Sequence, residues 1–113
     1  MSVLADIQSA LSPLQIPVET GAFTDAAPDA YMVVVPLTDS FELYADNAPA
    51  YDVQEARISL YAKGSYTAVK NAVVHALLDN DFTITDRRYV GYETDTGYHH
   101  YAVDVARHYE MED

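Results

Sequence analysis

The sequence predicts an α+β domain, a mainly antiparallel sheet of four to five strands with two helices packed on one face, in the order α-β-β-β-α-β-β. Three observations lead to it. Apolar residues repeat at helical spacing over Val69, Ala72, Val73, Ala76 and Leu77. Strict alternation runs through residues 51–63 and again through 98–109. Between these stretches stand a continuous apolar run and turn-forming clusters rather than a long polar linker.

The elements follow in chain order. Residues 2–12 form a first helix, with Ser2 as cap and Leu4, Ile7 and Leu11 on one face. Pro13 disfavours helical backbone at Ser12 and ends it. A short extended piece covers 16–20, and the turn residues of 21–29 make a loop. Tyr31-Met-Val-Val-Val35, closed by Pro36, has the pattern of a strand buried on both faces and central in its sheet. In the next strand Ala56, Ile58, Leu60 and Ala62 alternate with Glu55, Arg57 and Ser59, so one face is wet. Gly64-Ser65 breaks it, and Ser65 can cap the second helix, which Asp79-Asn80-Asp81 ends. Residues 82–92 read as a strand, and Thr94-Asp95-Thr96-Gly97 supplies hairpin chemistry. In the last strand Tyr101, Val103 and Val105 face away from His100, Ala102 and Asp104, and the final pair is expected to be antiparallel.

One domain is expected over residues 1–113, with a long loop at about 37–50. There are no cysteines, which excludes disulfides, thiolate metal sites and cysteine nucleophiles. The start of the chain has no basic leader and no long apolar run, so a soluble, intracellular protein without membrane attachment is expected. Eighteen acids against six Lys and Arg give a formal net charge of −12, which repels phosphate backbones and argues against sequence-specific nucleic-acid binding. Solubility is the plain reading of that charge. The sharper one is an acidic DNA mimic that inhibits a nucleic-acid enzyme.

Several patterns imitate chemistry. Asp95-Thr96-Gly97 matches the aspartic-protease triplet, but only 16 residues follow it, too few to complete a carboxylate-bearing fold, and the same residues suit a tight turn. His99 and His100 are neighbours on a strand and point to opposite faces, while His100 and His108 stand roughly 26 Å apart along it. His75 borders the apolar stripe of the second helix. Asp79, Asp81 and Asp86 begin like a calcium loop, yet Ile84 and Val90 stand where its glycine and glutamate belong. The glycines at 21, 64, 91 and 97 are scattered, so no phosphate-cradling loop exists. No catalytic residue, metal site or cofactor is expected.

What remains is a contact surface. The segment from Phe41 to Tyr51 is acidic and carries spaced aromatics, the stiff amphipathic residues that protein interfaces favour. Phe41, Tyr44 and Tyr51, with Asp46 and Asn47 between them, are the candidate interface. Tyr61, Tyr89 and Tyr101 are strand-packing residues, and Tyr66 and Tyr98 fall at element ends.

The ordered series of a short helix, Ile16-Pro-Val-Glu-Thr-Gly-Ala-Phe23, Pro28 with Tyr31-Met-Val-Val-Val35, Phe41, Ala45-Asp46-Asn47, Tyr51, Ile58-Ser-Leu-Tyr-Ala-Lys63, a helix, and two closing strands with Tyr101 and Tyr109 resembles the tail-completion or tail-terminator proteins of long, non-contractile-tailed phages of Gram-positive bacteria. The resemblance spans nearly the whole chain and rests on order and spacing. After Lys63, Gly-Ser-Tyr-Thr-Ala-Val-Lys lacks the charged helix start of such relatives. The resemblance implies a structural, non-catalytic role in virion assembly: a ring that caps the tail tube or joins tail to head. Its partners would be tail-tube and head-tail connector proteins and further copies of itself, first in the host cytoplasm and then at the head-proximal end of the tail. An acidic bore in such a ring would ease the passage of DNA.

Overall fold

A computed structural model describes the backbone of residues 2–20, 29–45 and 48–110, and their side chains apart from residues 20 and 41–50. The first helix, α1 (Val3–Leu11), is capped by Ser2, whose side chain accepts from the Ala5 N–H. Pro13 then tightens Ser12–Leu14 into a single 3-10 turn. Three strands follow, β1 (Val18–Thr20), β2 (Ala30–Ala45) and β3 (Ala48–Lys63), then α2 (Tyr66–Asp79), β4 (Thr83–Tyr92) and β5 (Tyr98–Glu110). The element order is the one the sequence predicts.

The five strands form one mixed sheet in the order β1-β2-β3-β5-β4. Every pair is antiparallel except β1 with β2, which run parallel. The centre is β3, not β2: the apolar run Tyr31–Val35 lies one strand off centre and is sealed on one face only. Met32 and Val34 are fully buried, while Tyr31, Val33 and Val35 are half-buried. A run of five apolar residues looks the same from sequence whether its second face meets helices or other aromatic side chains, and here it meets the latter.

Both helices lie on one face and close a single core. Ile7 and Leu11 of α1 and Val73 and Leu77 of α2 pack with Met32, Val34, Ile58, Leu60, Val103 and Val105 of the sheet, and these side chains are sealed from solvent. Ser65 stands at the α2 N-terminus without a side-chain capping bond. The far end closes firmly: Asn80 Nδ2 donates to the Ala76 carbonyl at 2.8 Å, and Asp81 adopts the left-handed conformation (φ 66°) that turns the chain toward β4. The β4–β5 hairpin turns through Gly97 at φ 81°, a conformation that glycine adopts without steric cost.

The largest departure from expectation concerns residues 37–50. No long loop runs there: β2 continues to Ala45, β3 begins at Ala48, and the two pair from Ala30↔Ala62 out to Ala45↔Ala48. Sequence could not show this because the outer half of β2 opens on Pro36 and the polar run Thr38-Asp39-Ser40 and owes its conformation to hydrogen bonds with β3. Pro36 is tolerated because β1 covers only Met32–Val34, so no strand asks for a donor on that side. The register slips between Pro36 and Thr38, a bulge that leaves Leu37 exposed. Sixteen residues of β3 rise roughly 53 Å, which matches the 54 Å long axis of the molecule. The radius of gyration is 15.4 Å, against about 13 Å for a compact chain of this length. The length of β2, β3 and β5 accounts for the excess, and the outer ends of β2 and β3 form an arm.

Candidate functional site

The arm is the outer half of β2 and β3. Its base is three strands wide, because β5 pairs with β3 as far as Tyr51↔Glu110. Beyond that point only residues 43–45 of β2 and 48–50 of β3 continue, a short two-stranded tip with no third strand among the described residues. Isolated ribbons of this kind are marginal in water and gain from docking. Phe41 and Tyr44 stand on β2 opposite Asp52 and Pro49, so the backbone carries them on the arm, not on a loop. Asp46 and Asn47 lie outside the described residues, as do the side chains of Phe41 and Tyr44. Tyr51 is half-buried at the arm's base, edge-on to His108 with ring centroids 6.0 Å apart.

The helix-bearing face is tied to the arm's base by polar bonds. Gln54 Oε1 accepts from the Val3 N–H at 2.9 Å, and its Nε2 donates to Asp52. Tyr109 OH donates to Asp6 of α1, and burial, then this bond, push the phenol well above its ordinary range. Arg107 lies over the rings of Phe82 and Tyr109.

A second surface lies at the opposite edge of the sheet. Tyr66 of α2 meets Tyr89 and His99 with centroids 5.3 and 5.1 Å away, Tyr92 covers His99 at 4.7 Å, and Tyr89 OH bonds to His99 Nδ1 at 2.9 Å. This patch reaches solvent, since Tyr89, Val90 and Tyr92 are each about half exposed, at 45, 51 and 52%. Sequence placed Tyr89 in strand packing and gave no sign of the cluster, because the register between β4 and β5 is what brings its members together.

The sheet face opposite the helices carries the third arrangement. Tyr61 stacks between Tyr31 (4.8 Å) and His100 (4.3 Å), with Tyr98 edge-on to both tyrosines. Burial raises the phenol pKa of Tyr31 and Tyr61, with charged neighbours adding to it. Burial likewise lowers His100, against the pull of Glu93, and its buried Nε2 has no hydrogen-bond partner among the described residues. Farther along, Arg57 clamps Asp104 through Nε at 2.8 Å and a second nitrogen at 3.0 Å. Asp86 stands opposite Asp104 in the register and is held by Arg88 at 2.6 Å. Two carboxylates directly across a strand pair would repel, and each has its own guanidinium.

Asp95 and its neighbours form an exposed turn closed by the Gly97 N–H donating to the Glu93 carbonyl and Thr96 Oγ1 donating to Glu93. His99 and His100 point to opposite faces, the first into the tyrosine patch and the second onto Tyr61. Among the described residues no three His, Asp or Glu side chains converge as metal ligands would, and no helix is long and apolar enough to cross a membrane.

No protein-family model and no curated protein matches this chain. Solved structures do match: one chain from the virion of a native gene transfer agent particle is similar over 97% of this chain and 96% of its own length, with a TM-score of 0.56 and 11% identity. At that identity the likeness is one of fold.

Proposed function

We propose that this chain is a structural virion-assembly protein of the tail-completion or tail-terminator kind, which forms a ring that caps the tail tube or joins tail to head. The observation that carries the reading is the whole-chain fold likeness to a chain of a virion particle, which leaves almost no part of either chain unmatched. Two features of the molecule support it. A ribbon projecting from a helix-backed sheet gains stability by lying against another protein, and an exposed aromatic patch at the other edge offers anchors of the type that dominate binding energy. Two different surfaces at opposite ends suit a head-to-tail contact, which closes into a ring when the rotation between neighbours divides a full turn. The role is non-catalytic, and the partners are tail-tube and connector proteins together with further copies of this chain.

Size-exclusion chromatography with light scattering, with and without tail-tube protein, tests the reading, followed by electron microscopy of the assembled fraction. The expected result is a discrete oligomer whose images are rings of uniform diameter, bound at tube ends. A chain that stays monomeric and ignores tube protein would sink it.

A further inference from the structure

The edge strand β4 is built as an acceptor. It closes the sheet on one side with no strand beyond it among the described residues, and it is ten residues long, Thr83–Tyr92. An edge of that length normally carries protection such as proline, a covering loop or dense charge. Here Asp86, Arg87 and Arg88 and register shifts at Ile84/Asp86 and Tyr89/Gly91 interrupt the edge, and the part beside the hairpin turn exposes Tyr89, Val90 and Tyr92, backed by Tyr66 and His99.

Its charge is unusual for this molecule. In a chain of net charge −12, β4 alone among the described elements carries more basic than acidic residues, Arg87 and Arg88 against Asp86. Arg88 is committed to Asp86, whereas Arg87 is exposed and makes no ion pair with any described residue. The arm and its base are its complement: residues 37–56 include Asp39, Glu42, Asp46, Asp52 and Glu55 and no Lys or Arg. The arm also has a free edge, since β1 pairs only with Met32–Val34 and leaves the rest of β2 without an outer neighbour among the described residues. Exposed Thr38, Asp39 and Ser40 lie along that edge.

We propose that the β4 edge of one subunit, with its tyrosine patch, receives the acidic β2–β3 arm of a second copy of this chain. The inference deepens the ring reading and rests on it. The two surfaces differ, so the contact is head-to-tail and repeats from copy to copy. Pairing of β4 with β4 is the competing occupant, but antiparallel overlap of two whole strands sets Arg87 opposite Arg88, like charges directly across from each other. The acidic arm meets the same arginines with opposite sign, and backbone pairing along two free edges adds hydrogen bonds without sequence demands.

The test uses light scattering of the full chain over a range of concentrations. Arg87→Glu should weaken self-association by at least about tenfold, and Arg87→Glu with Arg88→Glu should weaken it further. The arm variant Asp39→Arg with Glu42→Arg should do the same. All four changes in one chain should restore assembly, because every interface then carries the swapped pair; circular dichroism of each variant checks that the fold is kept. Assembly that is indifferent to Arg87→Glu, absence of rescue in the quadruple variant, a dimer that does not grow, or a wild-type chain monomeric at all concentrations overturns the proposal. The two readings separate cleanly: assembly that survives charge reversal and still caps tubes rejects this interface and keeps the ring, whereas arm-to-β4 assembly that ignores tube protein keeps the interface and rejects the tail role.

Discussion

At the scale of single residues the structure turns on groups whose neighbours lie far away in sequence. Arg57 and Asp104 are 47 positions apart and form a two-pronged ion pair on the face without helices, where Asp104 is only 8% exposed. Arg57→Ala strands that carboxylate opposite Asp86 and should cost about 2 kcal/mol in denaturant unfolding. Arg57→Leu combined with Asp104→Leu should recover most of the loss, because it removes both desolvated charges; a double variant no better than the single one would refute the pairing as the cause. His100 sets a pH dependence. Its folded-state pKa lies below the ordinary imidazole value of about 6.5, so the unfolded chain binds more protons there, and stability falls as pH drops through that range toward the lowered value. His100→Phe keeps an aromatic ring on Tyr61 and removes the proton. Its stability should decline less than wild type between about pH 7 and 5, measured by urea midpoints. Identical slopes would show that His100 does not carry the effect.

At the scale of elements, core and arm should behave oppositely. Leu77 is fully buried on α2 against the sheet, and Leu77→Asp combines lost apolar burial with an unpaired buried carboxylate. A cost on the order of 4 kcal/mol, against total stabilities of about 5–15, should remove much of the folding margin and bring the urea midpoint far below that of wild type. Phe41→Ala with Tyr44→Ala, on the arm, should leave the unfolding midpoint within about 0.5 kcal/mol of wild type and impair ring or tail assembly. Loss of fold in that variant would make both residues core, and full assembly would remove them from the interface. Element types were legible because each helix and strand repeats its apolar pattern within itself. The outer half of β2 and residues 48–50 of β3 were not, since a stretch that opens on Thr38-Asp39-Ser40 behind a proline becomes strand only when its partner supplies the ladder.

At the scale of the molecule, net charge acts on folding and on assembly with opposite signs. A chain at −12 repels itself, so added salt should raise the melting temperature of the monomer. The arm and the β4 edge attract, so the same salt should weaken self-association as the screening length falls from about 10 Å at 0.1 M to 3 Å at 1 M. Thermal melts and light scattering on one salt series read both trends. Parallel trends would separate the assembly surface from the charge pattern. A ring of such subunits is expected to present an acidic bore, which repels DNA phosphates at wall contact, and the lumen potential of an assembled ring checks this.

Composition and periodicity by themselves determined the α+β class, the order of elements, the inward stripe of α2 around Val73 and Leu77 and the acidity, because each is a property of a short window or of the whole count. The stretch from Phe41 to Tyr51 stands out in the sequence by its aromatics but reads there as a loop, and nothing in the sequence marks Tyr66, Tyr89, Tyr92 and His99 as one patch. Only the tertiary structure decided those points. Strand order and register determine which distant side chains become neighbours, and a sheet's register is set by the packing of all its strands at once. The projecting arm, the aromatic β4 edge and the Arg57–Asp104 clamp exist at that level alone.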